Sequence, residues 1–232
     1  MIDTHSHLLP GVDDGCKSVE ESVACARVMA EAGYTHVFCT PHIWANLAGN
    51  NVGSIPVMVE RLQGEIDRAA VGLKLMGGGE MSLRAGLAEV MPGFVVTYGM
   101  KGKYALVDLW ADRLPKFFEP TVRWMQGLGI TVILAHPERM RAVQDEPGLA
   151  DYFGELGLLL QGNLQCFEDR EGAPTRRTAE RYLREGRYWM VGSDTHGMGG
   201  LEQRMAGLER VRSLVDDDTF AILTTGNPGK LI

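Results

Sequence analysis

Five of the six histidines sit where imidazoles could gather around a cation. His5 and His7 are two residues apart, His42 follows Thr-His-Val-Phe-Cys-Thr-Pro, His136 ends Ile-Thr-Val-Ile-Leu-Ala, and His196 closes Gly-Ser-Asp-Thr-His. Carboxylates recur in the same contexts: Asp13 and Asp14, Glu80 after a run of three glycines, Asp108 near the end of Tyr-Ala-Leu-Val-Asp-Leu, and Asp194 two before His196. In extended backbone, side chains two apart point the same way, so His5 with His7 and Asp194 with His196 can face one ligand. A set of imidazoles and carboxylates without thiolates suits hydrolytic Mn, Fe, Co or Zn rather than a structural zinc. These donors exceed what one ion takes, which implies two or three ions. Singly each motif has a plainer reading. Asp-Asp-Gly is often a turn, Glu80 could be a solvated loop residue, Asp108 a hydrogen-bonded core carboxylate, and Asp194 a turn cap. Each falls at the end of a different expected strand, and chance explains that arrangement poorly.

Other chemistries are excluded by spacing. Cysteine-based phosphatases carry Arg six positions after the nucleophile; here those positions hold Ser22, Glu31, Ala45 and Gly172. No G-x-x-x-x-G-K-[ST] occurs, so a P-loop is absent. The four cysteines (Cys16, Cys25, Cys39 and Cys166) form no C-x-x-C pair and read as reduced, buried, small apolar residues. The formal net charge of -7 argues against nucleic acid as the main partner. No apolar run approaches a bilayer span, and the first residues lack a secretory signal, so no membrane insertion and a cytoplasmic location are expected.

The elements that must present these residues alternate. Residues 35–40, 73–77, 104–109, 130–135, 157–161 and 188–192 read as buried strands, with a brief first strand starting at Ile2. Helical patterns fall between: one opening at Ser18 with Glu21 as a capping box and closing at Gly33, then 56–71, 114–127, 174–185 and 201–214. Residues 42–55 and 80–100 read as loops over the active face. Alternating strands and helices imply a parallel α/β fold, with strand C-termini converging on one rim. Pattern alone leaves an open sheet and a closed barrel both possible. No linker divides the 232 residues, so a single domain over 1–232 is expected. His36, at a strand start, reads as structural. The arginines at 176–177 and 181–187 read as a solvated helix face.

Taken in order, Ile-Asp-Thr-His-Ser-His, Val-Asp-Asp-Gly, Thr-Pro-His, Gly-Glu, Ala-His-Pro-Glu-Arg and Ser-Asp-Thr-His-Gly resemble the polymerase and histidinol phosphatase (PHP) superfamily. Within it they look most like the bacterial tyrosine-protein phosphatases encoded with capsule and exopolysaccharide genes. The similarity runs from residue 2 to Asn227-Pro228. It implies a distorted (β/α)7 barrel and three divalent ions, often manganese. By carry-over, His5, His7 and Asp194 hold one ion, with Glu80 bridging to a second that Asp108 and His136 complete. Asp14, His42 and His196 hold the third, and Asp13 serves as a turn or supporting residue. Relatives often carry Glu where this chain has Asp108, and the shorter arm implies weaker occupancy there. The loop after His42, Ile-Trp-Ala-Asn-Leu, lacks the basic residues some relatives have, which bears on substrate affinity or choice.

The implied reaction is metal-dependent hydrolysis of a phosphomonoester, ideally phosphotyrosine on a protein. Arg139, with the metals, would neutralise the phosphoryl oxygens, and His42 and His196 would join it in the catalytic set. The implied substrate is the tyrosine-rich tail of a bacterial tyrosine kinase. Two other readings compete. One is a small-molecule phosphatase of the same superfamily, acting on histidinol phosphate or a nucleotide. The other is a degenerate, non-catalytic barrel, which would have lost ligands.

Overall fold

Most strand residues are buried, and two chain passes are broken midway, one at Pro41 and the other at Gly78-Gly79. The structure, a computed structural model, describes residues 1–87, 95–168 and 172–232. Among these, nine strands all pair in parallel. β1 (Ile2–Ser6), β2 (His36–Cys39) and β4 (Lys74–Gly77) form one sheet in the order β1-β2-β4. β3 (His42–Ile43), β5 (Glu80–Ser82), β6 (Tyr104–Asp108), β7 (Thr131–Ala135), β8 (Leu159–Asn163) and β9 (Met190–Gly192) form the second in that order. Thr40-Pro41 alone separates β2 from β3, and Gly78-Gly79 separates β4 from β5. Each of these two chain passes therefore runs in the three-stranded sheet first and in the six-stranded sheet afterwards.

Helices cross between the strands: α1 (Val19–Glu31), α2 (Ser54–Arg68), α3 (Phe118–Gly127), α4 (Arg141–Asp145), α5 (Leu149–Glu155), α6 (Ala173–Arg184), α7 (Leu201–Leu214) and α8 (Asp217–Ala221). None among the described residues is long and apolar enough to cross a membrane. The start of α1 shows how its sequence signal works. Ser18 Oγ accepts from the Glu21 amide at 3.3 Å, while Glu21 Oε2 accepts from the Lys17 amide at 2.8 Å, one residue before the usual capping box partner. Its apolar face, with Cys25, Ala26 and Met29 fully buried, packs inward, and Gly33 ends it at φ +94°.

Several expected boundaries move. The stretches 42–55 and 80–100 are not loops throughout: His42-Ile43 and Glu80–Ser82 extend the preceding strands beyond Pro41 and Gly79, because backbone pairing resumes once the chain passes the break. Part of the second stretch, 88–94, lies outside the described residues. β1 runs through His5, so His5 lies within the strand rather than after it. α2 opens at Ser54, whose Oγ accepts from Asn51 N at 3.1 Å, and α3 opens only at Phe118, beyond Pro115. Two short helices, α4 and α5, occupy the connection between β7 and β8, where the apolar repeat is too short to read.

The core joins helices to both sheets, and its close approaches are made possible by small residues. Gly207 in α7 packs on the backbone that follows β8, where an added Cβ would lie 2.0 Å from the Leu164 carbonyl oxygen. At the other end of that packing, Glu180 of α6 accepts from Arg210 of α7 at 2.8 Å and from its own-helix neighbours Arg176 and Arg184 at 3.2 and 2.6 Å. Burial alone would raise the Glu180 carboxyl, but these arginines outweigh it and hold the group at about 2. Glu180 thus joins α6 to Arg210 of α7, while Arg176 and Arg184 pair along their own helix and Arg177, Arg181 and Arg184 stay exposed, as a solvated face would have them.

Two outcomes follow. Gly207→Ala should destabilise the fold by about 2–3 kcal/mol in urea unfolding, since backbone must shift to admit the methyl group. Glu180→Gln should cost on the order of 1 kcal/mol at neutral pH. Because the folded-state pKa is depressed, that difference is present above the ordinary carboxylate range and should disappear as pH falls toward about 2.

Candidate metal centre

The strand ends deliver the expected donors to one place. His5 and His7 come from β1 and the residue just beyond it, His42 from β3, Glu80 from β5, Asp108 from β6, His136 from the turn after β7, and Asp194 with His196 from the segment after β9. Asp14 reaches in from the 10–15 turn, whose approach depends on Gly15: a Cβ there would stand 2.2 Å from the His7 carbonyl oxygen. His136 (φ 35°) and Asp194 (φ 52°) hold left-handed backbone, a strained conformation that sharply turns each side chain off its strand.

Glu80 is the hub. It is 1% exposed; its Oε1 lies 2.8 Å from His136 Nε2, and its Oε2 lies 2.9 Å from His42 Nδ1 and 3.4 Å from both His5 Nε2 and His7 Nε2. Asp194 Oδ1 stands 3.3–3.4 Å from His5, His7 and His196. Asp14 Oδ1 touches His42 Nε2 and His196 Nε2, both at 3.3 Å. The donors form three overlapping groups: His7, Asp14, His42 and His196; His5, His7 and Glu80; His42, Glu80 and Asp108. In each group the ligand atoms lie within 4.8 Å of one another. His7 thus stands with the Asp14 group as well as with His5, and His42 links that group to Glu80 and Asp108. The partition carried over from the family had neither overlap.

Three of the imidazoles are held from behind. His7 Nδ1 meets Asp13 Oδ2 at 2.7 Å, His5 Nδ1 meets Gln161 Oε1 at 3.0 Å, and His196 Nδ1 donates to the Asp194 carbonyl at 2.8 Å. An acceptor behind Nδ1 places the proton there and leaves the Nε2 lone pair facing the other donors, which is the arrangement metal-ligating histidines adopt. The carboxylates are braced too. Asn163 Nδ2 donates to Asp194 Oδ2 at 2.7 Å, Arg139 Nη1 donates to the same oxygen at 3.3 Å, and buried Arg204 donates from Nε to the Ser193 and Asp194 carbonyls. Trp110 Nε1 donates to Asp108 Oδ2 at 2.9 Å.

The electrostatics call for added positive charge. Burial would raise Glu80 and Asp194, but the surrounding imidazoles outweigh it, His5 foremost, and both carboxyls are held well below their usual range. Burial would lower His5 and His7; the carboxylates around them outweigh it and raise both. Asp13 is held at about 2, its burial outweighed by His7, whereas burial and the neighbouring Glu80 charge push Asp108 up to about 6. Three buried atoms, Glu80 Oε2, His42 Nδ1 and Asp108 Oδ1, make no hydrogen bond. Such atoms are costly unless a cation meets them. Divalent ions fit this donor set, supplying the charge that protons on the imidazoles would otherwise provide.

The centre opens into a cavity of about 300 Å³, lined by Asp14, His42, Trp44, Glu80, Trp110, His136, Arg139, Gln165, Asp194, His196 and Arg204. Every histidine, aspartate and glutamate singled out as a ligand reaches this centre, and Asp13 stands behind His7. His36 does not; it pairs with Thr35 at the opposite end of β2. Glu138 also turns away from Arg139, accepting from the Asn163 amide at 2.7 Å and the Tyr188 hydroxyl at 2.9 Å. Sequence reasoning missed Gln161, Asn163 and Arg204 as supports, and Trp44 and Trp110 as lining. Gln161 and Asn163 carry one weak signal, polar side chains at the buried end of an apolar strand.

Comparison with known proteins gives three concordant findings. The family model for capsular polysaccharide synthesis, CpsB/CapC, matches residues 1–232. The tyrosine-protein phosphatase YwqE of Bacillus subtilis is 24% identical over 198 residues, 85% of this chain and 78% of that one. Crystal structures of YwqE from Bacillus subtilis and CpsB from Streptococcus pneumoniae, described as unique metal-dependent tyrosine phosphatases, superpose with a TM-score of 0.86 at 21% identity, covering 100% of this chain and 94% of the other. A phosphotriesterase homology protein from Escherichia coli, with phosphate in its active site, shares the fold at a TM-score of 0.67 and 11% identity over 99% and 97% of the two chains.

Asp13→Asn should weaken Mn²⁺ binding by about 10–100-fold while leaving every ligand side chain present, because it loosens the support of His7 and of the His42 backbone, whose amide also donates to Asp13 Oδ2 at 3.0 Å. Titration calorimetry with MnCl₂ checks this; unchanged affinity would deny Asp13 that role.

Proposed function

We propose, starting from the membership of this chain in the CpsB/CapC capsular polysaccharide synthesis family, that it is a metal-dependent phosphomonoesterase acting on protein phosphotyrosine. The observation that carries this reading is the inward set of Nε2 lone pairs on His5, His7 and His196, each fixed by an acceptor behind it; those of His5 and His7 face buried Glu80 and Asp194, and that of His196 faces exposed Asp14. The tyrosine-phosphatase names of its relatives supply the substrate class. The finer architecture belongs with this reading: a distorted (β/α)7 barrel, with β2–β3 and β4–β5 each counted as one pass. Its support is the parallel contact between the outer strands, where His7 N donates to Thr195 O at 2.8 Å and Asp194 N to His5 O at 2.7 Å.

His5, His7, Asp14, His42, Glu80, Asp108, His136, Asp194 and His196 would hold two or three divalent ions, with manganese the preferred metal. When bound, such ions supply Lewis acidity toward phosphoryl oxygens and make a water acidic enough to act as nucleophile near neutral pH. The chain's own residues supply the rest. Arg139 sits on the turn after β7, 20% exposed at the cavity wall, and its guanidinium can neutralise a phosphoryl oxygen while Asp194 holds it in place. His42 and His196 flank Asp14 at the wetter side of the centre and orient the ester from there. A phenolate leaves without strong protonation, so a weak acid among these imidazoles suffices.

The cysteines take no part: all four are buried thiols outside disulfides, and none lines the cavity. The natural substrate on this reading is the tyrosine-rich tail of a bacterial tyrosine kinase, with the protein working in the cytoplasm.

Mn²⁺-loaded protein should hydrolyse a phosphotyrosine peptide in preference to histidinol phosphate, and should lose this activity on chelation and regain it with MnCl₂. A preference for histidinol phosphate would replace the reading with the small-molecule one. Arg139→Ala should lower kcat by about 10²–10³, the cost typical of removing one donor to developing charge; a change confined to KM would assign Arg139 to ground-state binding only.

A further inference from the structure

Two indoles stand at the mouth of the metal cavity. Trp44 stacks on His42 with ring centroids 4.0 Å apart and an interplanar angle of 23°. Trp110 is 61% exposed, more than any other large hydrophobic side chain among the described residues. An indole left in water forgoes its burial, so its placement needs a reason. Burial is not what holds it. Its Nε1 is tied to Asp108 Oδ2 at 2.9 Å, the Arg139 guanidinium lies 4.6 Å from its ring centroid, and its ring is 5.8 Å from that of His136. The ring is therefore pinned between a ligand carboxylate and the arginine that meets the phosphoryl group, with much of its surface open. The loop from Ile43 to Leu47 on the other side presents Trp44 and no basic residue.

We propose that Trp110, with Trp44 as the second wall, is a specificity-determining residue: its open surface packs the aryl group of the ester while Arg139 holds the phosphoryl group. This rests on the phosphomonoesterase reading and adds to it which part of the chain selects an aryl over an alkyl ester. Aromatic packing of a ring against a fixed indole contributes on the order of tenfold in affinity. A rigid wall costs little entropy on binding, and here the hydrogen bond and the cation–π contact set the ring in advance.

The rival role for Trp110 is only to orient Asp108 through its N–H. Phe keeps the ring and lacks the N–H; Ala lacks both. Titration calorimetry of phenylphosphonate and methylphosphonate into Mn²⁺-loaded protein, with manganese content measured for each variant, separates the two roles. The parent should bind phenylphosphonate about tenfold more tightly. Trp110→Phe should keep that ratio within about threefold, Trp110→Ala should bring it close to unity, and Trp44→Ala should lower it in part. A parent with no preference overturns the proposal, as does an undiminished ratio in Trp110→Ala. A loss in Trp110→Phe as large as in Trp110→Ala assigns the residue to Asp108 alone and also overturns it. Failure of both phosphonates to bind would remove the phosphomonoesterase reading itself, and this proposal with it.

Discussion

The arrangement of this molecule turns on one buried carboxylate. Glu80 is almost wholly removed from water with four imidazoles within 3.4 Å of its two oxygens. A charge in that position is tolerable only where opposite charge is supplied at close range. The imidazoles provide it by holding protons, or divalent ions provide it in their place. Nearly every other feature of the rim serves to bring those partners to Glu80 from separate strands.

Parallel pairing explains why so many donors can meet. The donors come from β1, β3, β5 and β6 or from the segments after β1, β7 and β9, and the neighbours in register lie side by side: His42 opposite Glu80, and Ser82 opposite Asp108. The breaks at Pro41 and at Gly78-Gly79 let two chain passes leave one sheet and continue in the other, so that His42 and Glu80 come forward together. The cost is local strain at His136 and Asp194, whose left-handed backbone persists because hydrogen bonds fix both flanks. Arg204 on α7 grips the carbonyls of Ser193 and Asp194, coupling a helix on the outside to the most constrained turn of the rim.

A second layer converts proximity into a usable donor set. Asp13, Gln161, Asn163 and Trp110 touch the ligands from behind, and each sets a direction: which nitrogen carries a proton, and which oxygen stays open. The shorter Asp108 is one example. Its Oδ2 is engaged by Trp110 while Oδ1 remains without a hydrogen bond in the interior, facing the Glu80 group. This chain combines a short carboxylate arm with an indole that holds it, and that indole also forms the cavity wall.

Residue types and order along the chain were enough to point to the histidines and carboxylates that the fold gathers at one rim, because most of them follow an apolar run and strand ends in a parallel α/β fold share a face. The exclusion of a thiol mechanism was equally legible, since it depends on fixed local spacing. Helix and strand placement could be read where apolar periodicity was long, as in α1, α6 and α7. It could not be read where a strand was interrupted after Thr40 or Gly77, or where α4 and α5 spanned only a turn or two. Tertiary structure alone decided that His7 stands with Asp14 as well as with His5, that Asp13 and Gln161 stand behind the rim histidines, and that Trp110 meets Arg139. The reason is physical. Local pattern reports which face of an element is apolar, whereas the direction of a lone pair or hydrogen bond depends on partners up to 156 residues away, as between His5 and Gln161.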